Sequence, residues 1–169
     1  IVDIYLRLLF GHMWGDYFLQ PLVFALNKCP KKPLPEGPHV EGYGDGSVSV
    51  PKSLLWCTLH SAIYSTAVCL WILSWHPIVF RGINLWGLDW NWVVFGLVFL
   101  SHWPVDYFSL GDKYLKFIKG RTLAQASSDK TPFWEFNIAF TAVVYTIVDN
   151  GIHIMLMLLI VWAMQNGAL

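Results

Sequence analysis

Four apolar stretches run through this chain, over about residues 1–25, 54–79, 92–110 and 133–164, and they leave few folds open. A helix needs roughly 20 apolar residues to cross the hydrocarbon core of a bilayer. There every backbone polar group must be satisfied within the protein, so stretches of this kind form helices. The expectation is an all-α integral membrane bundle of four transmembrane helices, built as a single membrane domain over residues 1–169. Composition agrees: 56% of the 169 residues are hydrophobic and 13% are charged, too few charges to cover a soluble domain of this size. A formal net charge of zero gives no reason to expect a nucleic-acid partner. Membrane lipids are the expected partners, with a homo-oligomer or a membrane protein assembly left open.

The connections differ in character. The first loop, about 26–53, contains C-P-K-K-P-L-P-E-G-P and E-G-Y-G-D-G-S, whose prolines and glycines exclude a helix. The second, about 76–91, is rich in tryptophan. The third, about 111–132, contains G-D-K-Y-L-K-F-I-K-G-R. Lys113, Lys116 and Lys119 recur there every third residue beside an apolar stripe of Leu115 and Ile118, which predicts a short interfacial basic helix between the third and fourth spans. Trp71, Trp75, Trp86, Trp90, Trp92 and Trp134 cluster near the ends of the apolar stretches, as an interfacial belt requires. Lys28, Lys31, Lys32 and Lys52 fall in the first loop, and Lys113, Lys116, Lys119, Arg121 and Lys130 in the third; the second has only Arg81. The positive-inside rule then makes the first and third loops cytoplasmic and turns both termini outward.

Ionisable residues inside the apolar stretches point to function. His12 with Asp16, His60, His102 with Asp106, and Asp149 with His153 place such groups on each of the four expected helices. A buried charge in hydrocarbon is costly and persists only with partners, so it marks a functional site by default. Three of the clusters are histidine–aspartate pairs four residues apart, a spacing that stacks two side chains on one helix face. Counting residues from the span ends sets all four clusters between the bilayer midplane and the inner leaflet. Gly11 and Gly15 have the small-xxx-small spacing that lets a second helix approach closely. Pro104, between His102 and Asp106, is expected to kink its helix. Asn150 follows Asp149 and would point about 100° away from it around the helix.

Imidazole and carboxylate without thiolate suit a divalent transition metal (zinc, manganese or iron). Cys29, Cys57 and Cys69 form no spaced pair. The expected ligands are His12, Asp16, His60, His102, Asp106, Asp149 and His153, enough for one ion with carboxylate support or for two ions in a bundle core. Asp16, Asp106, Asp149 and His153 are the expected catalytic groups, since a spare aspartate can act as general base and a spare histidine as general acid. A lone histidine such as His60 is otherwise a packing residue, and a histidine–aspartate pair can simply tie helices together. Haem held by facing histidines is disfavoured by the aspartate beside each; a proton relay uses the same residue types.

The motifs G-H-M-W-G-D-Y-F-L-Q at 11–20, L-H-S-A-I-Y at 59–64, S-H-W-P-V-D-Y-F at 101–108 and V-D-N-G-I-H at 148–153 occur in this order. The chain thereby resembles the domain of unknown function 3307 family of small bacterial membrane proteins, across nearly its whole length outside the first loop. It departs from the family pattern at Tyr107, Phe108 and Ser109, where a lysine is usual, and at Asn150, where glutamine is common. The resemblance implies a bacterial inner-membrane location and supports the residue set without naming a reaction. The expected function is a metal-dependent hydrolase acting on a lipid-like or phosphoester substrate. The alternative is a non-catalytic subunit of a larger assembly whose buried His/Asp cluster fixes helix packing.

Overall fold

The computed structural model describes residues 2–30, 48–73, 90–122, 125–126 and 131–166. Most of the proline- and glycine-rich loop, the tryptophan-rich connection with Arg81, and Lys130 lie outside the described residues. The regular elements among the described residues are all helical. Helix α1 (Val2–Met13) runs into a π-helical turn (Trp14–Phe18), followed by α2 (Leu22–Asn27), α3 (Val50–Leu73), α4 (Trp90–Tyr107), α5 (Leu110–Lys119) and α6 (Trp134–Gln165).

Among the described residues, two helices are long and apolar enough to cross a membrane: α3 over Val50–Trp71 and α6 over Trp134–Ala163. At 1.5 Å per residue they extend about 33 and 45 Å. Helices α4 and α5, bent by 54° from one another, make a third if the pair counts as one span. The first expected span is not one continuous helix. α1 has 12 residues and the π turn five, and the path then breaks before Pro21, whose ψ of 150° is extended. Proline cannot donate the next helical hydrogen bond and drives its predecessor out of helical geometry. α4 continues past Pro104, and the change of direction comes at Ser109, in the left-handed region with φ of 47°.

α1 packs on α3, α3 on α4, α4 on α6, and α6 on α1, so the four long helices close a ring. Leu8, Val68, Val94, Val98 and Met157 meet in one apolar core, one to two turns along their helices from His12, His60, His102 and His153. Their order along each helix makes α1 and α4 parallel, with α3 and α6 running the opposite way. The short helices close the polar end: α2 packs on α3, and α5 on α4 and α6. α5 turns Leu115 inward, while Lys113, Lys116 and Lys119 are exposed beside Tyr114, Ile118 and an 85% exposed Phe117. The expected apolar stripe of Leu115 and Ile118 is therefore split between the bundle and the outer surface. Trp92 and Trp134 are exposed in the first turns of α4 and α6.

Two glycines set the α1–α3 distance. A Cβ at Gly11 would lie 2.9 Å from Val68 Cα, and one at Gly15 would lie 2.6 Å from Tyr64 Cδ2 and 3.1 Å from its Cα. Backbone cannot yield as a side-chain tip can, so helices must separate if either position gains a side chain. Gly11→Val should cost about 1–3 kcal/mol in detergent unfolding. Gly96→Ala, with nothing within 4 Å of its added Cβ, should cost no stability and can raise it by up to about 1 kcal/mol through helix propensity.

Candidate metal centre

The ring of helices contributes one histidine from each member. His12, His60, His102 and His153 are all at most 2% exposed, and their side chains meet three aspartates. Asp16 enters from the π turn, whose Leu19 N–H donates to the Trp14 carbonyl at 2.8 Å. The wider turn carries Asp16 inward as α1 ends, a use of π geometry common at functional sites. Asp106 enters from the last turn of α4, and Asp149 from the middle of α6.

Four atoms form the tightest part of the cluster. His60 Nε2 lies 3.0 Å from Asp16 Oδ1, 3.1 Å from Asp106 Oδ2 and 3.1 Å from His102 Nε2. His102 Nε2 lies 3.0 Å from Asp106 Oδ2 and 3.7 Å from Asp16 Oδ1. A tetrahedral ion with bonds of about 2.0–2.1 Å sets its ligand atoms about 3.3–3.4 Å apart, so these five separations bracket the edges of such a site. Asp16 Oδ1 and Asp106 Oδ2 are buried, and neither makes a hydrogen bond despite these short distances. His60, His102 and Asp106 thus bring their ligand atoms within metal-binding distance of one another, with Asp16 Oδ1 beside His60 Nε2, and this donor set fits a divalent metal ion.

A second, looser group adjoins the first. His153 Nε2 lies 3.6 Å from Asp106 Oδ1 and 3.9 Å from Asp149 Oδ2. Three overlapping triplets have ligand atoms within 4.8 Å of one another: Asp16 with His102 and His153, His60 with His102 and Asp106, and Asp106 with Asp149 and His153. Six of the seven expected ligand residues appear in them.

His12, the seventh, belongs to no triplet. Its Nε2 hydrogen-bonds Asn150 Oδ1, while its Nδ1 lies 2.9 Å from Tyr64 Oη and 3.3 Å from Asp16 Oδ2. Asn150 Nδ2 donates to the Thr146 carbonyl at 2.7 Å, which identifies the amide end facing His12 as the oxygen. An amide oxygen only accepts, so His12 Nε2 carries a hydrogen. The ring thus links Asn150 on α6 to Asp16 and Tyr64, and acts on the cluster through them.

Stacking adds to the His60–His102 Nε2 hydrogen bond in fixing the inner imidazoles. The Tyr64 ring lies 3.6 Å from that of His102 at an interplanar angle of 15°, and His153 stacks on the same His102 ring at 4.2 Å and 30°. The outer Nδ1 atoms of His60 and His102 have no hydrogen-bond partner, unlike most metal-ligating histidines. Cys57 contributes no thiolate, because its Sγ faces the Trp103 carbonyl at 3.6 Å.

The sequence pattern did not single out three participants. Lys28, at the end of α2, reaches Asp106 Oδ1 with its Nζ at 2.8 Å. Burial opposes its charge, yet Asp106 first, then Asp16 and Asp149, hold the ammonium well above its usual range. Tyr64, one helical turn beyond His60, carries the only available signal, a shared face. Gly111 of α5 approaches so closely that a Cβ there would lie 2.6 Å from Asp149 Oδ1. Asn150 was placed 100° from Asp149 by helical geometry. It still reaches the cluster, because α6 packs on both α1 and α5, so adjacent side chains serve different neighbours.

No protein-family model, no curated protein and no solved structure matches this chain. The geometry of the centre therefore carries the functional reading. Asn150→Leu should leave the His12 N–H buried without an acceptor, at a cost of about 1–3 kcal/mol. It should also weaken divalent-metal binding by about 10–100-fold through a less firmly held Asp16. Asn150→Gln, which keeps a neutral amide with its acceptor oxygen, should recover part of both in paired unfolding and metal titrations.

Proposed function

We propose that this chain is an integral-membrane, metal-dependent hydrolase acting on a phosphoester of a lipid-like substrate. The observation that carries the reading is that His60 Nε2 and His102 Nε2 lie 3.1 Å apart and each within 3.0–3.7 Å of both Asp16 Oδ1 and Asp106 Oδ2. These four residues would hold a zinc, manganese or iron ion. Such an ion lowers the pKa of a bound water toward neutrality and supplies a nucleophile.

The remaining pair supplies proton transfer. Asp149 is the most accessible carboxylate, with its side chain 18% exposed against 8% for Asp16 and 1% for Asp106. Asp149 accepts the proton that water gives up as its oxygen bonds to phosphorus. The ester P–O bond breaks, and His153 delivers a proton to the leaving alcohol oxygen. Transfer from Asp149 back to His153 restores the pair. Asp16 and Asp106 act as ligand carboxylates in this scheme, narrower roles than the general acid–base chemistry open to them from sequence.

A lipid-like substrate is favoured by the setting. The exposed lysines of α5 lie beside exposed Phe117 and Tyr114, a combination suited to an anionic headgroup region. In this reading α1 with the π turn, α3, α4 and α6 make four membrane crossings, the Lys28 side is cytoplasmic, and the membrane is a bacterial inner membrane. The four His/Asp motifs support membership of the domain of unknown function 3307 family.

Elemental analysis of protein purified in detergent tests the proposal first. About one divalent transition-metal ion per chain is expected, with less than about a tenth of that in the Asp16→Asn, Asp106→Asn variant. A wild-type protein without stoichiometric metal defeats the reading. Asp149→Asn should retain the metal and lower kcat on a phosphoester lipid by about 100-fold or more.

A further inference from the structure

Resting on the metal reading above, we infer that the centre is mononuclear and that Lys28 stands in the place of a second metal ion. The donor set alone could hold two ions, since Asp106 offers Oδ2 to His60 and His102 and turns Oδ1 toward His153 and, beyond it, Asp149. A carboxylate shared in this way is the usual bridge between paired ions in a helical bundle. Here, however, Lys28 Nζ lies 2.8 Å from that second oxygen. The bridging position is filled by a cation that belongs to the chain.

Charge balance makes the same distinction. Asp16, Asp106 and Asp149 bring three negative charges into a ring of apolar helices, where unbalanced charge is expensive. One divalent ion and one lysine neutralise them with all the histidines uncharged, and the anionic phosphoester balances the proton that His153 carries when substrate is bound. A second divalent ion added to Lys28 would leave a net charge of two inside the bundle. Without the lysine, two ions would leave a net charge of one, so removing Lys28 lowers the barrier to a second ion and opens its oxygen ligand. The short helix α2 packs on α3, and this fixes the stem from which Lys28 reaches the cluster. With the second position filled by lysine, Asp149 and His153 stay available for proton transfer.

The test uses the full chain in detergent, stripped with chelator, equilibrated with excess Mn²⁺, separated from unbound ion and analysed for metal. Wild type should hold about one ion per chain, Lys28→Ala about two, and Lys28→Arg about one. Lys28→Met, which keeps the apolar stem, gives the same comparison if the alanine variant does not fold. Wild-type protein with two ions, or a spin-coupled Mn²⁺ pair in its electron paramagnetic resonance spectrum, overturns the inference without any variant. One ion in wild type and still one in both neutral variants overturns it as well, while leaving the hydrolase reading intact. No ion in wild type removes the metal reading and this inference together.

Discussion

Three carboxylates share one buried pocket, and their mutual repulsion is what the rest of the architecture has to offset. Asp16, Asp106 and Asp149 come from three different helices, yet their side chains lie within reach of the same histidines. Removing a carboxylate from water costs roughly several kcal/mol even after relaxation, and a like charge nearby adds to that cost. Each surrounding feature can be read as an answer to this penalty. Lys28 is drawn in from outside the long helices, His60, His102 and His153 turn their Nε2 atoms toward the carboxylates, and a divalent ion completes the compensation in the proposed active state.

The same requirement explains features that look unrelated to a site. Gly11 and Gly15 bring α1 within backbone contact of α3, and this draws Asp16 to within 3.0 Å of His60. The left-handed turn at Ser109 folds α5 across the polar end of the ring, where Gly111 leaves just enough room for the Asp149 carboxylate. α2 does the corresponding work for Lys28. Apolar packing by Leu8, Val68, Val94, Val98 and Met157 lies on the other side of the histidines. The pocket is thus bounded by a hydrophobic core on one side and by short helices on the other.

Much of this was legible in the sequence, for identifiable reasons. A spacing of four puts His102 and Asp106 on one face, and their atoms are 3.0 Å apart. α3 and α6 follow from long apolar runs. The π turn did not, because a widened turn leaves no periodic mark in five residues, and the break at Pro21 was hidden inside an apolar stretch. Lys28 was counted as a loop charge, since nothing local distinguishes a lysine that stays in solvent from one that folds back onto Asp106. His12 shows the limit of spacing arguments. It sits at the same interval from Asp16 as His102 does from Asp106, but its nitrogens are taken by Asn150 and by Tyr64 with Asp16.

The central claim is that His60, His102, Asp16 and Asp106 together hold one divalent ion. X-ray absorption on the zinc-loaded wild-type protein tests it most directly. The account predicts a first shell of nitrogen and oxygen alone at about 2.0–2.1 Å. It also predicts outer-shell scattering from about two imidazoles and no metal–metal vector near about 3.5–4 Å. A sulfur shell near about 2.3 Å, or a first shell without imidazole scattering, would contradict it.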